Sequence, residues 1–283
     1  MIKENIFAIP SKERLKRETL ELLSDSGIEL DISGRQLSTK ITDPKLGDFT
    51  VAFMRPKDIV RMVAVGEIPI GIAGLDTVEE YNLEALSRSD WGQEWKLKTG
   101  AQILLKLGIG RCRLMLAAPL DKDMVSEQEF EKQGKYKNLV WKYALEQFEG
   151  FTIATSYPNL VSRMFYDLDN GPDDRNTSYT LRQLNGSVEV APSLGIADSV
   201  CDIVETGSTL QENGLKEILT ILESEAVLVT DGSNQKGSNR FVDELRDRIF
   251  ATLLRRNNPD AIKKMNDYNR FVKSQLEGIL RYR

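Results

Sequence analysis

The chain has 283 residues, enough for one large or two modest domains with real cores. Its 41% hydrophobic and 29% charged content suits a soluble globular protein, and a net charge of −5 argues against broad nucleic-acid binding, so a polyanionic ligand must be met by local Arg, Lys and backbone N–H groups. Two cysteines, Cys112 and Cys201, give neither a disulfide framework nor a zinc spacing, and the absence of histidine excludes Ser-His-Asp and Cys-His catalysis and every His-ligated metal.

Strand and helix signals alternate along the chain, which predicts α/β layers around a largely parallel sheet. Ile6 to Pro10 reads as a buried strand, and Lys12 to Ser26 as a helix with Leu15, Thr19, Leu22 and Leu23 at helical spacing, stopped by Gly27. Phe49 to Phe53 is a strand, Pro56 to Val65 a short helix, and Ile68 to Gly74 an apolar strand end whose glycines suit close backbone approach. Cys112 to Ala118 is a strong strand. Asp121 to Gly150, rich in Lys, Glu and Gln, reads as a solvated surface insertion with a helix around Leu139 to Phe148. Thr152 to Thr155 is a strand that turns through Ser156-Tyr157-Pro158-Asn159 into a helix, and Gly171 to Thr177 is a polar loop. Val188 to Val190 and Asp202 to Val204 are strands, with a loop and helix over Ala191 to Ser199 between them. Ala226 to Thr230 is a last strand, expected to rejoin the first domain, followed by helices over Asn239 to Arg255 and Pro259 to Arg281. No apolar run reaches the length of a membrane span, and the start Met1-Ile2-Lys3-Glu4-Asn5 has no signal-peptide pattern, so the cytoplasm is the expected compartment.

The segment Asp202-Ile-Val-Glu-Thr-Gly-Ser-Thr-Leu210 carries the most chemistry. A buried strand runs into Glu205 and then a small-residue loop that opens a helix, where unpaired N–H groups and the helix dipole favour an anion. Gly207 allows close backbone approach, and Thr206, Ser208 and Thr209 bring hydroxyl donors to phosphate oxygens. An ordinary strand-turn-helix with Thr206 or Ser208 as N-cap fits the same pattern equally well. Arg111 and Arg113 flank Cys112 on one strand face, which favours a paired structural role for them.

The stretches Leu184 to Pro192, Gly195-Ile-Ala-Asp198, Asp202 to Leu210 and Asn213-Gly-Leu215 resemble the phosphoribosyl pyrophosphate region of the ATP phosphoribosyltransferases. Gly108-Ile-Gly-Arg-Cys-Arg-Leu114 and Ile153 to Leu160 resemble the same family in the same order, and weaker similarity reaches Ala8 to Leu15 and Gly71 to Asp76. The resemblance implies transfer of a 5-phosphoribosyl group from phosphoribosyl pyrophosphate to N1 of ATP, the opening step of histidine biosynthesis. It implies a two-domain, periplasmic-binding-protein-like α/β fold with substrates in a cleft, here with a second domain at 106–212 inserted into a first domain of 1–105 and 213–283. Carried over by residue, it assigns the 5-phosphate loop to Thr206, Gly207, Ser208 and Thr209, flanked by Glu205 and Leu210. Asp202 falls on the ribose-contacting acid, with Glu189 a second candidate whose alternative is a buried ion pair. Lys12, Arg14, Arg55 and Arg35 fall on the basic residues suited to ATP phosphates and departing pyrophosphate, Arg55 foremost because it directly follows a strand; a lone arginine is otherwise a solvated charge.

The family reaction also implies Mg²⁺, held mainly by substrate phosphates. Two positions depart from the family pattern, both on the ATP side: Glu13 stands where a glycine is common before the residue matching Arg14, and Pro69-Ile70 precede Gly71-Ile72 where Asp-Leu is usual. After Thr230 the sequence offers charged helices rather than the strand series of the family's histidine-binding βαβ domain. That implies a catalytic core, a homo-oligomer of two or more copies, and room for a synthetase-like regulatory partner. The competing readings are a solute-binding or effector-sensing protein on the same fold, and a catalytically inactive regulatory paralogue.

Overall fold

The structure, a computed structural model, describes residues 5–30, 37–89, 100–132, 143–169, 178–231 and 239–256. The chain divides into two compact units, Met1–Gly110 with Glu225–Arg283, and Arg111–Ser224. The outward crossing lies at 110/111 rather than 105/106, and the return at 224/225 rather than 212/213. Both shifts follow from strand pairing that the sequence reading did not include, described below for each unit.

The first unit contains strands β1 (Ile6–Pro10), β2 (Ser38–Asp43), β3 (Gly47–Met54), β4 (Ile70–Gly74), β5 (Ala101–Lys106) and β11 (Ala226–Asp231), in the order β2-β3-β1-β4-β11-β5. β1 runs parallel to β3 and β4, whereas β2 pairs antiparallel with β3, and β11 pairs antiparallel with both β4 and β5. The sheet is therefore mixed, not largely parallel. The late strand β11 does rejoin the early ones, between β4 and β5. Helix α1 (Glu13–Asp25) covers one face through Leu22 and Leu23, together with Phe241, Leu245 and Ile249 of α8 (Arg240–Arg255). Helices α2 (Pro56–Ala64) and α3 (Leu75–Ser89) cover the other through Ile59, Val60, Val63 and Val78. Gly71 lets α2 come this close, because a Cβ there would lie 2.5 Å from Ile59 Cγ2.

Helix α8 is fixed at its start and along its side. Asn239 caps it, its Oδ1 accepting from Phe241 N–H at 3.1 Å and Val242 N–H at 3.3 Å. Arg248 grips Asp43 at the β2–β3 turn with two hydrogen bonds of 2.7 and 3.0 Å. That guanidinium, together with the N–H groups of Leu46 and Lys45, holds the Asp43 carboxyl well below the usual carboxylate range despite desolvation. The helix expected at Pro259 to Arg281 and the loop at Gly171 to Thr177 lie outside the described residues.

The second unit holds β6 (Cys112–Pro119), β7 (Thr152–Thr155), β8 (Thr180–Gln183), β9 (Ser199–Val204) and β10 (Leu215–Ser224), in the order β10-β6-β9-β7-β8. β9, β7 and β8 are parallel, while β6 is antiparallel to β9 and β10. β10 holds the chain in this unit to residue 224. On one face lie α4 (Glu127–Lys132), a helical stretch at 143–146 (α5) and α6 (Pro158–Asp169). Phe130, Ala144, Leu145 and Phe148 are buried there against Leu114, Ile153 and Cys201. The expected solvated insertion is thus partly a layer of the core. Each leucine, isoleucine or phenylalanine among them contributes about 1.5–3 kcal/mol on full burial. The opposite face packs Met115, Ala117, Val200 and Val204 against Val188, Leu210 and Leu215. Neither cysteine is in a disulfide; Cys201 is buried and Cys112 only partly so.

Candidate active site

In the first unit, the carboxyl ends of β1 and β3 lie side by side, with Pro10 opposite Met54. Ser11 N–H donates to the Met54 carbonyl at 2.9 Å, which ties the two exits together. β1 leads into α1 on one face of the sheet, and β3 leads into α2 on the other. Adjacent strands whose helices diverge in this way leave a crevice at their carboxyl ends, the usual ligand position in α/β sheets. Lys12 and Arg55 flank it, each the N-cap residue of its helix and each exposed. Their carbonyls accept the first helical bonds, from Lys16 N–H at 2.8 Å and from Asp58 and Ile59 N–H at 2.9 and 3.0 Å. Pro56 at the first helical position sets the turn that follows Arg55.

In the second unit, three parallel strands end at one edge. Beyond β7, the Thr155 hydroxyl accepts from Tyr157 N–H at 2.9 Å, and the Ser156 hydroxyl donates to the Leu184 carbonyl at 2.8 Å. Beyond β8, Gly186 and Ser187 take φ of 105° and 50°, Ser187 being the one positive-φ non-glycine among the described residues. Beyond β9 comes Glu205 to Thr209. Gly207 has φ 84° and ψ −7°, and a Cβ there would lie 2.9 Å from Glu217 Oε1, so only glycine suits the position. The Thr206 and Ser208 hydroxyls hydrogen-bond to each other at 3.0 Å, and both are exposed, as are Glu205 and Thr209. The helix that follows, α7 (Ser208–Glu212), is only five residues long.

Not every expected site residue falls where the sequence reading put it. Asp202 does: it lies within a strand, β9, half-buried, across from Met115 and on the face shared by Val200 and Val204. Glu189 is not in a strand: Val188–Val190 is a 3-10 turn, because Val188 anchors it in the core while Ser187 reverses the backbone. Leu210 is 5% exposed and packs into the core, so only its backbone faces the loop's chemistry. Gly207, rather than Thr206 or Ser208, is the N-cap of α7. Arg14 falls in the first turn of α1, and Arg35 lies outside the described residues. Arg111 precedes β6 instead of sharing it with Arg113.

Arg113 does form a pair, donating from Nη1 and Nη2 to the Glu217 carboxylate at 3.1 and 3.0 Å. Glu217 was missed outright. Alternation over Leu215-Lys216-Glu217 would have put it on the face of Leu215, had β10 been read as a strand. Among the described residues no group of three or more Cys, Asp or Glu side chains is arranged to hold a metal ion. No described helix is long and apolar enough to cross a membrane.

The fold and these loops define a class, that of two-unit α/β proteins presenting helix starts and glycine-bearing turns at the carboxyl ends of parallel strands. The family model described as HisG, ATP phosphoribosyltransferase, matches residues 55–251. An ATP phosphoribosyltransferase of Parabacteroides distasonis is 35% identical over 245 residues, covering 87% of this chain and 71% of that protein. One from Gemmatimonas aurantiaca is 34% identical over 224 residues, covering 79% of this chain, which spans 63% of that protein's length. A solved ATP phosphoribosyl transferase (HisG:HisZ) complex from Thermotoga maritima shares the fold, at TM-score 0.60 and 22% identity over 88% of this chain and 98% of that one. The chain belongs to the ATP phosphoribosyltransferase family, the enzymes of the first step of histidine biosynthesis.

Proposed function

We propose that this chain itself joins phosphoribosyl pyrophosphate to N1 of ATP, releasing pyrophosphate, and that the Asp202–Thr209 segment is its phosphoribosyl subsite. The observation that carries the reading is the left-handed Gly207 between two exposed hydroxyls, directly beyond a strand bearing Asp202. A carboxylate facing vicinal ribose hydroxyls accepts two hydrogen bonds and holds the sugar in register. Thr206, Ser208 and Thr209 supply hydroxyls to the 5-phosphate, Gly207 supplies close backbone, and Leu210 contributes its N–H. Glu205 and Glu189 border the sugar. Lys12 and Arg55, with Arg14 and Arg35, take the ATP phosphates and the departing pyrophosphate, since guanidinium forks bind phosphate oxygens bidentately.

Adenine N1 attacks the anomeric carbon with its own lone pair as the bond to pyrophosphate breaks, with inversion. No residue has to remove a proton before attack, which suits a chain without histidine. Catalysis then rests on positioning the two substrates and on stabilising charge as the ribose becomes cation-like. The donors at the loop, carboxylates and hydroxyls, are hard oxygen ligands that suit Mg²⁺ entering on the pyrophosphate. When bound, the ion neutralises charge on the leaving group.

The two compact units are the two domains of this reading, with the cytoplasm as compartment. A homo-oligomer follows from the family, and a synthetase-like regulatory partner from the hetero-complex of the Thermotoga relative. Incubation with ATP, phosphoribosyl pyrophosphate and Mg²⁺ tests the reaction through the phosphoribosyl-ATP chromophore. Product must depend on both substrates; none from a correctly folded, full-length chain rejects the reading.

A further inference from the structure

Arg113 and Glu217 share a sheet face with Asp202 and meet the Glu205–Thr209 loop from below. β6 sets Arg113 opposite Val204, the last residue of β9, one row from the Met115–Asp202 pair. Alternation then gives Arg113, Met115 and Ala117 of β6 the same face as Val200, Asp202 and Val204 of β9. Leu215 and Glu217 of β10 join that face, which brings the Glu217 carboxylate behind Gly207. The side chains of Arg113 and Glu217 are 32% and 29% exposed. A pair so exposed adds little to stability, so stability alone does not account for it.

Its location poses an electrostatic problem. A carboxylate within contact distance of a phosphate loop repels the phosphate, and the protein–solvent boundary screens that repulsion only in part. Arg113 meets both Glu217 oxygens through both terminal nitrogens, the fork arrangement that most fully cancels a carboxylate's charge. We propose that Arg113 is a positioning residue of the phosphoribosyl subsite: it masks Glu217, so that Gly207 packs against a shaped but electrically quiet floor. The proposal rests on the reading of Glu205–Thr209 as the 5-phosphate loop. Glu217 gives the loop its shape, Arg113 removes the cost of its charge, and neither touches substrate.

Masking predicts opposite signs for the two single substitutions. Arg113→Gln exposes the carboxylate and raises KM for phosphoribosyl pyrophosphate about tenfold, the scale of one like charge near a partly exposed anion site. Glu217→Gln keeps the floor, leaves Arg113 as a net positive charge, and lowers that KM. The double variant returns to within about threefold of the wild type, because the two charges cancel in their absence as they do in their presence. KM for ATP serves as the internal reference and stays constant throughout.

A purely structural pair gives the other pattern: both single variants raise KM, melt earlier, and are not rescued by the second change. That result overturns the proposal, as does an Arg113→Gln enzyme with unaltered KM. Should Arg113→Gln fail to fold, Glu217→Gln decides alone, a raised KM refuting the masking role. A wild-type chain that makes no product from the two substrates instead refutes the functional reading, so the two failures are distinguishable.

Discussion

The two units bring different chemistry to the same kind of place. Each ends parallel strands at one edge and opens helices there. The first unit meets that edge with long cations, Lys12 and Arg55, standing at the caps of α1 and α2. The second meets it with short groups: the Gly207 backbone, the Thr206 and Ser208 hydroxyls, and the Asp202 carboxylate. Under the proposed function, long cations follow a charge that moves, as pyrophosphate does when it departs. Short groups on rigid backbone fix a phosphate and a ribose that must stay in register. The contrast lies between reach and fit.

The sharpest way to break that contrast is at Gly207. Gly207→Ala meets both a left-handed backbone and the Glu217 carboxylate, so kcat/KM for phosphoribosyl pyrophosphate should fall about a hundredfold. Steady-state kinetics with that substrate varied, beside a thermal melt, checks it; an unaffected ratio would remove fit as the principle of this edge. Arg55→Ala is the counterpart. Its kcat should drop about thirtyfold with a smaller change in KM for ATP, if the guanidinium acts chiefly on the leaving group. Unchanged turnover in a folded variant takes Arg55 off the catalytic roster.

Two smaller effects separate the edges from the scaffold that carries them. Asp43→Asn weakens the anchor between α8 and the β2–β3 turn. The loss should be about 2 kcal/mol, below the 3–5 kcal/mol of a fully buried pair. The Asp43 carboxyl is depressed in the folded state, so the unfolded chain binds its proton first as pH falls. The stability it contributes is therefore complete above the ordinary carboxylate pKa of about 3.9 and is lost as pH drops from there through the lower folded value. Urea melts of the wild type and Asp43→Asn should keep a constant separation from pH 7 to about pH 4 and draw together only below it. Curves that stay parallel would show that the pair does not control acid stability. Asn239→Ala removes the α8 cap and should cost about 1 kcal/mol, read as a shift of the urea midpoint with KM for both substrates unmoved.

Legibility in the sequence followed local signal strength. β1 and β7 came through with their observed bounds because short apolar runs stopped by proline, serine or a helix start are self-contained. β2 and β8 did not, since they are edge strands of mostly polar residues such as Ser38-Thr39-Lys40 and Thr180-Leu181-Arg182-Gln183. β10 was hidden for another reason. Its irregular pairing with β6, with register breaks after Glu217 and after Thr220, spoils the alternation that marks a strand. That one omission misplaced the return crossing and concealed Glu217. Glu189 shows a related limit: a Val-Glu-Val triplet reads as strand by propensity, yet the tertiary anchoring of Val188 makes it a turn. At the candidate site, local pattern marked Gly207 and the hydroxyls as a loop without choosing between anion binding and plain capping. The family resemblance made that choice.

The place of β11 in the first sheet has a consequence for how the chain is made. Residues 226–231 lie between β4 and β5, and among the described strands β5 pairs with β11 alone. As the chain leaves the ribosome, β1, β3 and β4 emerge early yet cannot complete their sheet until more than a hundred further residues of Arg111–Ser224 have followed. Those intervening residues form one uninterrupted stretch whose described strands pair with one another, so their sheet can close from within the stretch. The strands of Arg111–Ser224 can therefore pair before the first sheet is complete, while β4 keeps an uncovered edge until residues 226–231 arrive.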